Sequence, residues 1–157
     1  MRALIDALWS AWSVDTEAPG TRVSGSGMPH GQCAVTALVV QDLLGGDLIR
    51  AVIDGESHYW NMIPGVGEID LTRWQFSRRL CPECNGGGFR SEFEPHLPCL
   101  CCEGSGITHR TGDIPRGEIV SRSRLLEGDR AKAAETPRRY QLLKQEVLNR
   151  MPGDLGS

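Results

Sequence analysis

The stretch GQCAVTALVVQDLLGG, residues 31–46, continues through DLIRAVI and DGESHYWNMIPGVGEIDLTRWQF to residue 76, and it decides the fold. In its first part, aliphatic residues recur at roughly helical spacing after Cys33, and the closing glycines supply a natural stop. This pattern predicts an apolar helix that begins at Cys33 and ends before Gly45.

The rest of the stretch has the composition and alternation of β-strands. DLIRAVI is rich in β-branched and aliphatic residues, and HYWNMI alternates between two faces, starting with His58. The PGVG segment then turns the chain back into EIDLTRWQF. A turn there places His58 opposite the neighbourhood of Thr72, with Asp70 as its diagonal neighbour on the same face. We therefore predict an antiparallel hairpin with His58 in one strand and Asp70 inside the next.

Cys33, His58 and Asp70 are the residue types of a nucleophile, a base and an orienting acid. A cysteine at a helix N-terminus faces unpaired amide hydrogens and the positive end of the helix dipole, which favour the attacking thiolate. The histidine can take the thiol proton, and the aspartate can fix the imidazole tautomer. Gln32 is a candidate donor to the oxyanion. Trp60 either shapes a substrate tunnel or fills the core.

Alternative roles stay open for each of these residues. A single cysteine in an apolar helix is usually a buried small hydrophobe, and a single histidine or aspartate beside strands is usually structural. His30, three residues before Cys33, competes as the base, although it lies in a Gly- and Ser-rich loop. The occurrence of all three types at the start of an element or in a strand favours a Cys-His-Asp triad.

The segments GQCAVTALVVQDLLGG, SHYWN and EIDLTRWQF resemble the YunG-like family of small bacterial and phage proteins, over residues 1–76 and about 116–150. The arrangement is similar, more distantly, to the papain-like and transglutaminase-like superfamily. This resemblance implies an α+β fold in which the N-terminal cysteine helix packs on a small antiparallel sheet. It also implies acyl transfer with Cys33 as nucleophile, His58 as general base and Asp70 as its partner.

Five of the six cysteines lie in CPECNGGGFRSEFEPHLPCLCCEGSG, residues 81–106. The pattern CxxCxGxG occurs twice, and the four cysteines of two such motifs make a tetrahedral four-thiolate zinc site. The unit resembles half of the zinc module of DnaJ-type cochaperones. Disulfides do not suit a cytosolic chain, and a redox CxxC leaves the repeated glycines unexplained. The predicted ligands of one structural Zn²⁺ are Cys81, Cys84, Cys99 and Cys102, with Cys101 as a bystander and His96 as an unnecessary fifth candidate.

The zinc unit is predicted to be an insertion. In the YunG-like pattern, the QF of LTRWQF runs almost directly into the closing segment, whereas about 35 to 40 residues intervene here. We therefore divide the chain into a discontinuous α+β catalytic-type domain at residues 1–76 and 114–150, and a zinc knuckle at residues 77–113. A flexible tail at residues 151–157 follows. The knuckle has few apolar residues and is expected to need its metal to fold.

The closing part of the chain is predicted to contain one long helix. Thr136 with Pro137 is a typical helix start. The pattern then predicts an apolar stripe for core packing, with arginines and lysines outside it. The stripe consists of Tyr140, Leu143, Val147 and Leu148.

Composition limits the class of protein. The 157 residues, 39% hydrophobic and 24% charged, suffice for one modest core with a small appendage. A net charge of −3 and a pI near 5.8 give no overall basic surface for nucleic acid. Neither a signal peptide nor an apolar run of the ~18 residues needed to span a membrane is recognisable. We expect a cytoplasmic protein with no membrane partner.

Two functions stay open from the sequence. The first is a cysteine-dependent acyl-transfer enzyme acting on a protein or peptide-like substrate. The possible outcomes are hydrolysis of an amide or thioester, deamidation, and transamidation of the transglutaminase type. All of them pass through the same acyl-enzyme, so the triad alone does not distinguish between them. The alternative is a non-catalytic binding or adaptor protein whose zinc module contacts a partner. A protein partner is favoured over nucleic acid because glutamates dilute the basic and aromatic residues of the module.

Overall fold

A computed structural model of the protein describes residues 2–20, 30–53, 55–76, 79–80, 83, 97, 100, 107–108 and 116–151. The chain divides into two compact units, Met1–Thr72 with Pro115–Ser157 and Arg73–Ile114. The first unit combines helices with an antiparallel sheet, so the α+β class is confirmed. The domain boundaries proposed from the sequence and the flexibility of the tail stay predictions.

The helices of the described residues are α1 (Arg2–Ala11), α2 (Cys33–Leu44), α3 (Arg122–Leu126), α4 (Asp129–Ala133) and α5 (Thr136–Arg150), with 3-10 turns at Val14–Thr16 and Arg73–Phe76. The strands are β1 (Asp47–Ile53), β2 (Glu56–Ile63), β3 (Gly67–Ile69), β4 (Arg79–Leu80), β5 (Ile107–Thr108) and β6 (Glu118–Val120). In the first unit, β3, β2, β1 and β6 form an antiparallel sheet in that order, and β4 pairs with β5 in the second unit. Across the described ranges, no helix is long and apolar enough to cross a bilayer.

Helix α2 lies at the centre of the hydrophobic core and follows the predicted bounds. Its apolar residues are buried together with residues of α1, α5 and the sheet. The helix ends where the N–H of Gly45 donates to the carbonyl of Gln41. The next residue, Gly46, has φ of +84°, and a Cβ there would lie 2.4 Å from the carbonyl oxygen of Met62. Glycine is therefore required where the chain passes from α2 to β1.

The hairpin of β2 and β3 has the register expected from its turn. Asn61 pairs with Ile69, and Ile63 pairs with Gly67. Asn61 also donates from Nδ2 to the carbonyl of Ala37 at 3.0 Å, which ties the hairpin to α2 through a buried hydrogen bond. The hairpin is therefore fixed both along the sheet and against the helix that begins at the cysteine.

The prediction that Asp70 lies inside a strand is wrong, because β3 ends at Ile69. The carboxylate Oδ1 of Asp70 accepts a hydrogen bond from the backbone N–H of Thr72 at 3.2 Å. Such local turns of aspartate compete with strand pairing. The aspartate is consequently held by a turn that follows the strand.

The prediction that the arginines and lysines of α5 lie outside its buried stripe is wrong for Arg139. Arg139 is only 2% exposed, whereas Leu148, expected in the stripe, is 42% exposed. The guanidinium of Arg139 donates to backbone carbonyls, including those of Thr16 and Gly31. These hydrogen bonds compensate for the loss of hydration, which allows a charged residue to be buried.

Near the end of α2, the carboxylate of Asp42 joins three helices. It lies 2.8 Å from the guanidinium of Arg122 in α3 and 2.7 Å from Nζ of Lys144 in α5, and the hydroxyl of Tyr140 donates to it. Burial raises the pKa of Asp42, but the hydrogen bonds of Lys144 and Tyr140 and the charge of Arg122 outweigh burial and lower it. The ionised carboxylate therefore stabilises the packing of α2 on α3 and α5.

We expect Asp42→Asn to lower the free energy of unfolding by about 2 kcal/mol at pH 7, because hydrogen bonds to a charged group are lost. The pKa of Asp42 in the folded protein lies below the ordinary value of 3.8. This stabilisation is therefore present above pH 3.8 and disappears as the pH falls through the pKa of Asp42 in the folded protein. Urea unfolding at several pH values measures both effects. The control Glu146→Gln breaks a half-exposed pair with Arg150 and should change stability by less than about 0.5 kcal/mol. A pH-independent difference between wild type and Asp42→Asn would contradict this account.

Candidate active site

Cys33 is the first residue of α2, as the sequence predicts, and it is 9% exposed. Its Sγ lies 3.8 Å from the carbonyl oxygen of Ser57, the residue before His58 in β2. The first N–H groups of an α-helix have no partner within the helix, and the dipole is positive there. The thiol therefore lies where a helix end that favours negative charge meets the strand that carries the histidine.

His58 and Asp70 form a short hydrogen bond in the interior of the first unit. The distance from Nε2 of His58 to Oδ2 of Asp70 is 2.7 Å, and the histidine is fully buried. The other carboxylate oxygen, Oδ1, accepts from the N–H of Thr72 and lies 3.4 Å from its hydroxyl. Both oxygens of the aspartate are thus engaged, which fixes its orientation toward the imidazole.

The thiol of Cys33 acts on the imidazole of His58 as well, because its side-chain hydrogen bonding and its charge both raise the pKa of the histidine. The structure therefore brings the three predicted triad residues together in the order thiol, imidazole, carboxylate. A proton-transfer chain requires an imidazole between the thiol and the carboxylate.

The electrostatic surroundings keep His58 protonated at neutral pH. Burial lowers the pKa of His58, but the hydrogen bonds with Asp70 and Cys33, and the charges of both, outweigh burial and raise it to about 9. A histidine with that pKa carries its proton across the physiological range. It can then deliver the proton to a leaving group bound at the thiol.

Trp60 forms one wall beside the histidine. Its ring stacks on the His58 imidazole with centroids 5.5 Å apart and an interplanar angle of 26°. A Cβ at Gly117 would lie 2.7 Å from the Trp60 ring and 2.3 Å from Ile49, so the indole is closely packed on its other side. The indole is buried and restricts rotation of the imidazole. Contact between Trp60 and a substrate stays a prediction.

Gln32 precedes Cys33 and is buried. Its Nε2 donates to the carbonyl of Ser13 at 3.0 Å, whereas its Oε1 has no hydrogen-bond partner within the described ranges. One amide hydrogen of Gln32 is therefore committed to the segment that follows α1. Its role as an oxyanion donor stays a prediction.

Two residues of the site were missed by the sequence analysis. Thr72 holds the carboxylate of Asp70, and Arg139 donates to the carbonyl of Gly31 at 2.5 Å, two residues before the cysteine. Arg139 stands four residues before Leu143, on the buried side of α5. A basic residue at a core position of a helix was the signal available in the sequence.

The predicted zinc ligands cannot be placed in this site. Cys101, His96 and the four cysteines assigned to zinc all lie outside the described residues. Within the described part of the chain, no group of three or more His, Cys, Asp or Glu side chains could hold a metal ion. The zinc site therefore remains a prediction from the cysteine pattern.

In the wild-type protein we expect an NMR titration of the His58 ring to give a pKa of about 9. In Asp70→Asn the pKa of His58 should fall by roughly 1 to 3 pH units, because the attraction of the carboxylate is lost while the histidine remains buried. Asp15→Asn, at an exposed acid in the first 3-10 turn, is the matched control and should leave the titration unchanged. A wild-type value near the ordinary 6.5 would contradict the site electrostatics.

The comparisons with known proteins identify a family. The model of the YunG protein family matches residues 1–86, which is more than half of the 157 residues. A Bacillus subtilis (strain 168) protein, named uncharacterized protein YunG, is 48% identical over 46 residues, or 29% of this chain. That match covers 39% of the relative, so the chain spans about two fifths of the curated relative's length. No solved structure matches significantly. On the family match, the chain belongs to the YunG family.

Proposed function

We propose that the protein is a cysteine-dependent acyl-transfer enzyme of the papain-like or transglutaminase-like type, with Cys33, His58 and Asp70 as its triad. The observation that carries this proposal is the buried 2.7 Å hydrogen bond between His58 and Asp70, made by an imidazole whose pKa the Cys33 thiol also raises. A purely structural His–Asp pair does not need a thiol that acts on the imidazole. Acyl transfer requires all three groups in this order.

In the first step, the thiolate of Cys33 attacks the carbonyl carbon of an amide, and a C–S bond forms while the carbonyl π electrons move to oxygen. The backbone N–H of Cys33 and the side chain of Gln32 are the proposed donors to this oxyanion. As the tetrahedral intermediate collapses, the C–N bond breaks and the imidazolium of His58 gives its proton to the leaving amine. The acyl group then remains on Cys33 as a thioester.

In the second step, water or an amine attacks the thioester and loses a proton to the neutral imidazole of His58. The C–S bond breaks, and Cys33 leaves as the thiolate beside a restored imidazolium. Asp70 orients the ring and stabilises its positive charge in both steps. Hydrolysis, deamidation and transamidation differ only in the leaving amine and the second nucleophile. A protein or peptide-like amide is the substrate class that we propose.

The zinc knuckle at residues 77–113 is proposed as a structural element of the same chain. Four cysteine thiolates suit tetrahedral Zn²⁺, and such a site supplies folding free energy to a segment with little apolar surface. The ligands would be Cys81, Cys84, Cys99 and Cys102. No step of the proposed reaction involves this metal.

We expect Cys33 in the wild-type protein to be alkylated by iodoacetamide at pH 6 roughly tenfold faster than in His58→Ala, because the imidazolium favours the thiolate. Intact mass and peptide mapping measure the rate at each cysteine, and Cys33→Ala confirms the assignment. His30→Ala is the matched control, since it removes the competing histidine that lies close to Cys33 in sequence. Its rate should equal that of the wild type.

A second readout tests acyl transfer itself. With p-nitrophenyl acetate, we expect a burst of one equivalent of p-nitrophenol per chain, slower release as water resolves the thioester, and an acetyl group on the peptide that contains Cys33. The control Cys33→Ala should give neither. If Cys33 is inert to both reagents in the folded protein, the enzyme proposal fails and a non-catalytic binding role takes its place.

We expect the purified protein to hold one zinc ion per chain, measured by metal analysis and native mass spectrometry. Cys84→Ser should lose the metal, whereas Cys101→Ser, which changes the bystander thiol in the same segment, should retain it. Removal of zinc should expose four additional thiols to alkylation. Metal-free wild type with disulfides among these cysteines would contradict the zinc proposal.

A further inference from the structure

Arg139 of α5 is a buried cation that forms no ion pair with any carboxylate of the described residues. It is 2% exposed, and across the described ranges its guanidinium takes part in no ion pair. It makes four hydrogen bonds to three backbone carbonyls instead. Nε and Nη2 donate to Thr16 at 3.1 and 3.0 Å, Nη1 donates to Ala134 at 2.9 Å, and Nη2 donates to Gly31 at 2.5 Å. An arginine keeps its charge under these conditions.

These hydrogen bonds fix the backbone that enters α2. Gly31 lies two residues before Cys33, and its carbonyl also accepts from the N–H of Ala18 at 3.1 Å. Gly31 has φ of +67°, which glycine adopts without steric cost. Arg139 therefore joins the segment after α1, the turn before the cysteine and the start of α5.

The bond to the carbonyl of Gly31, two residues before Cys33, places the guanidinium close to the start of α2. Burial lowers the pKa of Arg139, whereas Coulombic interactions with Cys33, Glu135 and Glu17 oppose this effect. Among the described residues, the charged groups that interact with Cys33 are therefore His58 from β2 and Arg139 from α5, whereas Asp70 acts through His58. The two glutamates, Glu17 and Glu135, act on Arg139. An interaction of opposite charges in a poorly hydrated site is stronger than in water.

We propose that Arg139 is a positioning residue for Cys33: it clamps the backbone entering α2 and supplies a second, permanent positive charge that favours the Cys33 thiolate. This inference rests on the proposed thiol chemistry. During the reaction, His58 loses its proton to the leaving group, so the attraction between imidazolium and sulfur disappears. Arg139 does not exchange its proton and remains positive throughout the cycle, including the stage at which Cys33 carries the acyl group and His58 is neutral.

The test measures the pH dependence of Cys33 alkylation by iodoacetamide in the full chain. We expect Arg139→Ala to slow alkylation at pH 6 by roughly tenfold, which corresponds to an upward shift of about one pH unit in the profile. Arg138→Ala is the matched control, because this neighbouring arginine is exposed and pairs with Glu135 at the surface. Its profile should equal that of the wild type. Circular dichroism and thermal unfolding verify the fold of each variant.

Chemical rescue separates charge from space filling. A cavity of about 310 Å³ is lined by Val14, Gly20 and Arg139 among others, and it offers a small molecule a route to the position of this side chain in Arg139→Ala. Methylguanidinium should restore the alkylation rate of Arg139→Ala, whereas methylurea, which is similar in shape but neutral, should not. Equal rescue by both compounds would overturn the inference.

The remaining outcomes are also decisive. A folded Arg139→Ala with the wild-type pH profile would overturn the role of Arg139 while leaving the pair of Cys33 and His58 intact. If Arg139→Ala does not fold, Arg139→Lys decides. If folded Arg139→Lys is alkylated at pH 6 within about threefold of the wild-type rate, the result supports the role of the positive charge. If it is alkylated as slowly as His58→Ala, the result overturns that role. A wild type no faster than His58→Ala would overturn both this inference and the proposed function.

Discussion

The register of the β2–β3 hairpin is the constraint on which the candidate site depends. Because β3 leads directly into the turn that carries Asp70, a slip of one residue in the register would shift this turn relative to His58. In the observed register Asn61 pairs with Ile69, and the turn that follows brings the carboxylate of Asp70 to 2.7 Å from His58. The buried hydrogen bond from Asn61 to Ala37 holds the same strand against α2, so a single polar residue links the register of the hairpin to the helix that carries the thiol.

The N-terminus of α2 is held by polar contacts from distant parts of the chain. Gln32 donates to Ser13 after α1, and Arg139 from α5 donates to Gly31. At the opposite end of the helix, Asp42 binds side chains of α3 and α5. The apolar residues of α2 supply burial, which is not directional, whereas these polar contacts restrict sliding and rotation of the helix. A nucleophile placed at the end of a helix held in this way has little freedom of position.

Much of this arrangement could be predicted because its signals are local. The spacing after Cys33 predicts the start of α2, and alternation with a glycine turn predicts the hairpin that brings His58 toward Asp70. The exit of Asp70 from its strand was missed because its own carboxylate supplies a competing turn. Arg139 was missed for a different reason. Two of its partners, the backbone carbonyls of Thr16 and Gly31, lie more than 100 residues away in the sequence, and main-chain acceptors carry no sequence signal.

The charges at the site explain why burial does not neutralise the histidine. A buried imidazole without partners would lose its proton, since burial lowers its pKa. Here the carboxylate of Asp70 and the thiol of Cys33 act on the imidazole and reverse that effect. The histidine has no exposed surface, whereas Cys33 retains 9%. Of these two side chains, only the thiol is therefore accessible from solvent, which suits the proposed attack by Cys33. The buried imidazole is shielded from water, and in the proposed reaction this favours transfer of its proton to a group bound at the thiol over exchange with solvent.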